Sequence, residues 1–386
     1  MKRLSALLLC LALLLAGCGQ TDRPSSAAVS APPATAQPSP APTPQPTVDF
    51  SATGDNLIHG QLYLQAQRRT EDGSYDFMPL YEKVASFYAG RDLNFINQET
   101  LVNDELPPSS YPLFSSPAAV GRTAYDLGFR LFGTSNNHSY DLGAAGIAAT
   151  RRFWASMPDD ALAFGLWENG AEDDIPLYEK NGVTFACLAY TQYTNGLPTP
   201  QGAEAHVILT SDTETIERQI TAARELADVV LVSVHWGTED SHTVTEGQRA
   251  LARQMAGWGA DLIIGTHPHV LQGAEWLERE DGGRSFVAYS LGNFVSAQSR
   301  PDQLIGAVLS CTFTKTGEGA AEISDVRFHP TVTHYGSRYS DVKVYFLSDY
   351  SADLALGHGV RTDYPSFSME YIDAVIAENL PQEFLG

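Results

Sequence analysis

Cysteine is scarce in this chain, and basic residues are few. The 386 residues include four cysteines. They stand at 10, 18, 187 and 311, and none falls in the close pairs that build a cysteine zinc site. Lys and Arg total 24 against 46 Asp and Glu, a net charge of −22. So acidic a chain argues against nucleic acid as a partner and against broad adhesion to anionic lipid. A polyanionic ligand would need a locally positive site, which bound metal can create. Long hydrophobic runs are missing too: the stretch Leu4–Leu15 has the length of a signal-peptide core and is too short to span a bilayer. What remains is ordinary globular composition, 43% hydrophobic and 18% charged. That excludes a mainly disordered or fibrous chain.

The opening residues carry an address. Lys2 and Arg3 precede the apolar run, which ends in Leu15-Ala16-Gly17-Cys18. This ending resembles the bacterial lipobox. The resemblance implies a signal peptide over 1–17 and a lipid anchor on Cys18, holding the protein to the cell membrane on its extracytoplasmic face. Acyl chains used in pairs give stable anchoring. Residues 18–47 are rich in Pro, Ala, Ser and Thr and cannot build a core, so an extended tether is expected there. Cys187 and Cys311 sit in apolar, strand-like runs. Buried thiols are the first expectation, and a disulfide between them stays open.

From Val48 onward, short apolar runs alternate with amphipathic ones. Strands are expected at Val48–Thr53, Leu93–Ile96, Arg130–Phe132, Val183–Tyr190, Val229–Val234, Leu262–Ile264 and Phe286–Tyr289. Continuous runs such as Val229-Val230-Leu231-Val232 suit strands covered on both faces. Ser211 with Glu214, and Thr245 with Gln248, read as capping boxes that open helices. The alternation predicts a layered α/β domain over 48–305. Residues 306–386 then read as a β-rich extension (Ala307–Thr314, Ile323–Phe328, Val342–Leu347) closed by a helix near Met369–Asn379, packed on the main domain.

Polar residues gather where these strands end. Asp55 follows the first strand, Glu99 the second, and Asn136-Asn137-His138 the third. His235 ends Val229–Val234, and His267-Pro268-His269 follow Leu262–Ile264. In an open α/β sheet ligands bind at the carboxyl ends of strands. Carboxylates mixed with imidazoles suit Mn, Fe or Zn, whereas Ca and Mg prefer oxygen ligands alone. The set is large enough for two divalent ions of the kind used in hydrolysis. The His-Pro-His spacing is expected to place two imidazoles on one side of an extended segment. Singly, each residue has a plain structural reading, such as a turn Asn or a helix cap. The convergence on one sheet edge carries the inference. His206, His242, His329, His334 and His358 lie outside it and are expected in solvent, with His242 left open because it is close to His235 in sequence.

The ordered motifs Gly54-Asp55, Asn97-Gln98-Glu99, Asn136-Asn137-His138-Ser139-Tyr140-Asp141, His235-Trp236-Gly237, His267-Pro268-His269 and Tyr289-Ser290-Leu291-Gly292-Asn293 resemble the CapA family. Those are capsule proteins of poly-γ-glutamate synthesis within the calcineurin-like metallophosphoesterase superfamily. The resemblance spans about residues 48–300. It implies a four-layer α/β/β/α sandwich with two divalent metals at the strand ends. It also implies Asp55 and His269 on one metal, Asn137, His235 and His267 on the other, and Glu99 in the bridging place. His138 matches the histidine that steadies a phosphate or protonates a leaving group, while Asn136, Asn293 and His59 are possible pocket residues. Two departures stand out. Leu57 occupies the place of a superfamily histidine, and His59-Gly60 replaces an arginine common after Gly-Asp.

Three functions follow from these readings. The first is a metal-dependent hydrolase, acting on a phosphoester or on the amide of polyglutamate. The second is a non-catalytic accessory that grips an anionic polymer beside capsule synthase membrane proteins. The third is a solute-binding lipoprotein, which predicts two similar lobes and no ligand series. A proton donor such as His138 favours the hydrolase.

Overall fold

The computed structural model describes residues 45–317 and 319–386; the signal, Cys18 and nearly all of the tether lie outside them. Along the chain come β1 (Thr47–Asn56), α1 (Gly60–Arg68) and β2 (Leu93–Asn97). Next are α2 (Ala119–Asp126), β3 (Phe129–Gly133), α3 (Gly143–Ala155) and β4 (Leu162–Phe164). The middle of the chain supplies β5 (Leu177–Lys180), β6 (Val183–Thr191), α4 (Thr213–Leu226), β7 (Val229–His235) and α5 (Glu246–Trp258). Then follow β8 (Leu262–Thr266), β9 (Leu271–Glu278), β10 (Arg284–Leu291) and β11 (Asn293–Val295). The last elements are β12 (Ile305–Gly317), β13 (Ala320–His334), β14 (Lys343–Phe346) and α6 (Met369–Asn379).

Two sheets result. One runs β14-β13-β12-β1-β2-β3-β4, with β11 also paired to β1; the other runs β9-β10-β8-β7-β6-β5. The central pairs β1–β2–β3–β4 and β6–β7–β8–β10 are parallel. Their carboxyl ends therefore share an edge within each sheet. The sheets pack face to face through aromatic contacts: Phe50 of β1 stacks on Phe185 of β6 at 6.5 Å, and both meet Phe313 of β12 edge-on.

Alternation along β7 shows the layering. Val229 and Leu231 join the core between the sheets, while Val230, Val232 and Val234 face α4 and α5 with Ile216, Ile220, Leu251 and Met255. Each such apolar side chain contributes roughly 1.5–3 kcal/mol on burial. On the first sheet Phe132 packs against Trp154 of α3 at 4.6 Å. The expected four-layer α/β/β/α arrangement is what the chain adopts.

Residues 306–386 join the main domain, where β12 pairs antiparallel with β1 in the first sheet. Some local expectations change. The solute-binding alternative expected two lobes, yet residues 45–386 form one compact unit. Helix α4 is capped by Asp212, whose side chain accepts from Thr215 N, rather than by Ser211. The Thr245–Gln248 capping box of α5 forms as read. Cys187 and Cys311 are buried free thiols. His358, expected in solvent, is buried and bonds Thr333 O through Nε2 and Val360 N through Nδ1. No helix among the described residues is long and apolar enough to cross a membrane.

Candidate metal centre

The site begins where β1 ends. The Gly54 backbone passes so close to β11 that a Cβ there would lie 1.8 Å from Gly292 O. That approach lets Asp55 N bond Gly292 O at 3.0 Å. Asp55 stands in register with Asn97 on one side and Asn293 on the other. Asn97 Nδ2 donates to Asp55 Oδ1 at 2.7 Å and holds that carboxylate in place.

The second sheet supplies the histidines. His235 closes β7 beside Thr266 of β8, with Nδ1 3.0 Å from Thr266 Oγ1. Its Nε2 is 3.0 Å from Asn137 Oδ1 and 3.1 Å from His267 Nδ1. His267 and His269 converge, with ring centroids 5.8 Å apart, but not as pleated neighbours. Both have left-handed backbone, φ 98° and 61°, so the segment is a tight turn and not the expected extended stretch. The turn aims His267 N at Asp55 Oδ2, 3.2 Å away, which joins the two sheet edges. Such backbone is costly for residues other than glycine and persists where the surroundings over-determine it.

Two groups of donors emerge. Asp55, Glu99 and His269 form one, with ligand atoms within 4.8 Å of one another. Asn137, His235 and His267 form the other through the contacts above. Glu99 lies between them, its Oε1 3.7 Å from His235 Nε2 and 3.8 Å from His269 Nε2. Every one of these side chains is buried.

The electrostatics call for a cation. Both carboxylate oxygens of Glu99 are buried without a hydrogen-bond donor among the described residues. Burial first, then the Asp55 charge, pushes the Glu99 carboxyl well above its usual range. His235 and His267 are held well below theirs by burial and by neighbouring imidazoles. Burial opposes the charged form of His269 too, yet Glu99 and Asp55 outweigh it and raise that imidazole to about 10. Two ring nitrogens 3.1 Å apart need one proton or one cation between them. Acceptor-only oxygens beside neutral imidazoles are the donor set of a borderline divalent ion. These residues fit divalent metal.

His138 lies at the edge of the cluster and is fixed by a contact the sequence did not single out. Its Nδ1 bonds Asp141 Oδ2 at 2.7 Å, and the same oxygen accepts from Phe114 N at 2.6 Å. Asn136 builds the loop: it accepts from His138 N and donates to Gln98 O. Asn293 Oδ1 touches His269 Nδ1 at 3.1 Å and so orients that ring. His59 stands apart from both donor groups. Its Nδ1 lies 3.1 Å from Leu57 O, and Phe114 separates its ring from that of His138. Burial lowers the His59 imidazole to about 4.

Sequence reasoning passed over Tyr193, Asn195 and Glu239. Tyr193 Oη bonds His267 Nε2, leaving Nδ1 for the cluster. Asn195 Oδ1 accepts from Asn137 Nδ2 at 3.3 Å. Both follow the end of β6, so the strand-end rule applied to that strand would have found them.

The bacterial capsule synthesis protein PGA_cap family model matches residues 49–298. The PGA biosynthesis protein CapA of Bacillus subtilis (strain 168) is 29% identical over 281 residues, covering 72% of this chain and 71% of that protein. The capsule biosynthesis protein CapA of Bacillus anthracis is 32% identical over 180 residues, 45% of this chain and 41% of that one. Among solved structures, a candidate 5'-nucleotidase from Staphylococcus aureus aligns over 79% of this chain and 55% of its own, at 14% identity and a TM-score of 0.42. At that distance nothing of its activity transfers. The match over residues 49–298 makes this chain a member of the bacterial capsule synthesis protein PGA_cap family.

Proposed function

We propose that this protein is a metal-dependent hydrolase of capsular poly-γ-glutamate biosynthesis, held at the outer face of the cell membrane by lipid on Cys18. The setting is supported by the CapA relatives, one of which is a PGA biosynthesis protein. Asp55, Glu99 and His269 would hold one divalent ion and Asn137, His235 and His267 a second, with Glu99 shared. When bound, Mn, Fe or Zn there supplies Lewis acidity toward an anionic oxygen and lowers the pKa of water.

The observation that carries the hydrolase reading is the His138–Asp141 pair. Asp141 fixes the imidazole through Nδ1, so Nε2 is the nitrogen left to meet a substrate. In hydrolysis of a phosphoester or of a glutamyl amide, the bond to the leaving oxygen or nitrogen breaks and that atom needs a proton. In this reading His138 gives that proton and recovers one from the incoming water. Asn137, bonded to Asn195 and His235, keeps the neighbouring peptide rigid. A protein that only gripped polymer carboxylates would have no use for an oriented proton donor.

The test is metal per chain and rate for wild type, His267→Ala and His138→Ala, on aryl phosphate and on poly-γ-glutamate in parallel. His267→Ala should lose metal. His138→Ala should keep it and lose turnover by about 10²–10⁴-fold. Metal-loaded wild type that binds polyglutamate and cleaves neither substrate would instead make the protein a polymer-holding accessory.

A further inference from the structure

Past His235 the chain runs through Trp236 and Gly237 into a turn that folds back over the His267–His269 segment. Gly237 has φ 95° and donates its N–H to Gln192 Oε1 at 2.8 Å. Asp240 has φ 61°, and its N–H bonds Pro268 O at 2.9 Å, the carbonyl between the two histidines. The Asp240 carboxylate is itself held by Arg300 at 2.8 Å and by Gln303. Glu239 sits between these anchors. One of its carboxylate oxygens and one nitrogen each from His267 and His269 all lie within 4.8 Å of one another. Asp240 has a cationic partner, whereas Glu239 forms no ion pair with Lys or Arg among the described residues.

We propose that Glu239 is a further metal ligand, a carboxylate that closes the centre on its solvent side and reaches toward both His267 and His269. The proposal rests on the dinuclear reading above. Two arguments carry it beyond proximity. The first is ligand number: with Glu99 shared, the second ion has four protein donors and the first only three, Asp55, Glu99 and His269, so the first has room for a further carboxylate beside water. Leu57, two residues after Asp55 and buried, offers none. The second is charge. Two dications held by Asp55, Glu99 and neutral donors keep a double positive excess in a buried site. A third carboxylate halves that excess on the side where water and substrate enter. Glu99 is buried and Glu239 is exposed, so Glu239 is the carboxylate of the two that is open to solvent.

The test uses the full chain, freed of metal by chelation and titrated with Mn²⁺ alone by calorimetry, with metal per chain counted after dialysis. Wild type, Glu239→Gln and Glu239→Asp are compared with Glu225→Gln, which removes the same charge from an exposed site on α4. Glu239 is exposed, so the Gln change leaves folding intact. The expected result is two Mn²⁺ in wild type and a loss of about 10-fold or more in affinity for one of them in Glu239→Gln. Glu239→Asp should fall between, and Glu225→Gln should match wild type. With Co²⁺ in place of Mn²⁺, the visible spectrum of Glu239→Gln should differ from that of wild type. Wild-type affinity in Glu239→Gln, or a loss no larger than in Glu225→Gln, overturns the ligand role and leaves the dinuclear centre standing. A wild-type chain that takes up no metal overturns the dinuclear reading itself, and this inference with it.

Discussion

At the scale of single residues, the site is defined as much by what holds the ligands as by the ligands. Asn97 fixes Asp55, Asn293 turns His269, Tyr193 engages His267 and Asp141 aligns His138. Partners of this kind set tautomer and ring direction and typically alter metal affinity or activity by 10–100-fold. Asp141 offers the cleanest separation, because its bonds go to His138 and Phe114 N and not to the metal cluster. Asp141→Asn should therefore lower kcat by about 10–100-fold with metal per chain unchanged. A parallel fall in metal content would mean that the His138 loop supports the ligands and does not act on the substrate.

At the scale of elements, helices α4 and α5 show how far a capping pattern can be read. Thr245 and Gln248 close a box on α5 as their spacing suggests. On α4 the cap moves one residue, to Asp212, because its carboxylate accepts from Thr215 N. Acidic and hydroxyl residues compete for such positions on nearly equal terms, so backbone direction at the helix entry decides. Asp212→Ala should cost about 1 kcal/mol in urea unfolding and Ser211→Ala a few tenths at most. Equal costs would return the cap to Ser211. The strand ends are read more securely than the caps. A continuous run rich in β-branched residues, such as Val229–Val234, suits a strand buried on both faces, and the polar residue that follows then emerges at the sheet edge.

For the whole molecule, the C-terminal strands belong to the first sheet and contribute to the core between the sheets. The proposed anchor, Cys18, lies outside the described residues. Cys18→Ala should move the protein from the membrane to the soluble fraction without altering metal per chain, since every proposed ligand stands at Asp55 or later in the chain. Fractionation with metal analysis checks this. Membrane retention of the Ala variant would remove Cys18 as the attachment point. Loss of metal on release would show that the N-terminal segment packs on the site.

The sequence by itself determined the layered α/β class and pointed to the strand ends where six of the residues proposed to hold metal stand. Each depends on local facts: apolar runs of strand length, and polar residues at their ends or within a few positions of them. Tertiary structure alone decided the rest. The left-handed backbone of the His267–His269 turn is held from other elements, His267 N by Asp55 and Pro268 O by Asp240, which no spacing rule anticipates. Glu239 reaches the site only because Asp240 latches onto the carbonyl of Pro268, far along the chain. The pairing of β12 with β1 makes the expected extension part of the core for the same reason. Contacts between residues distant in sequence leave no period in it.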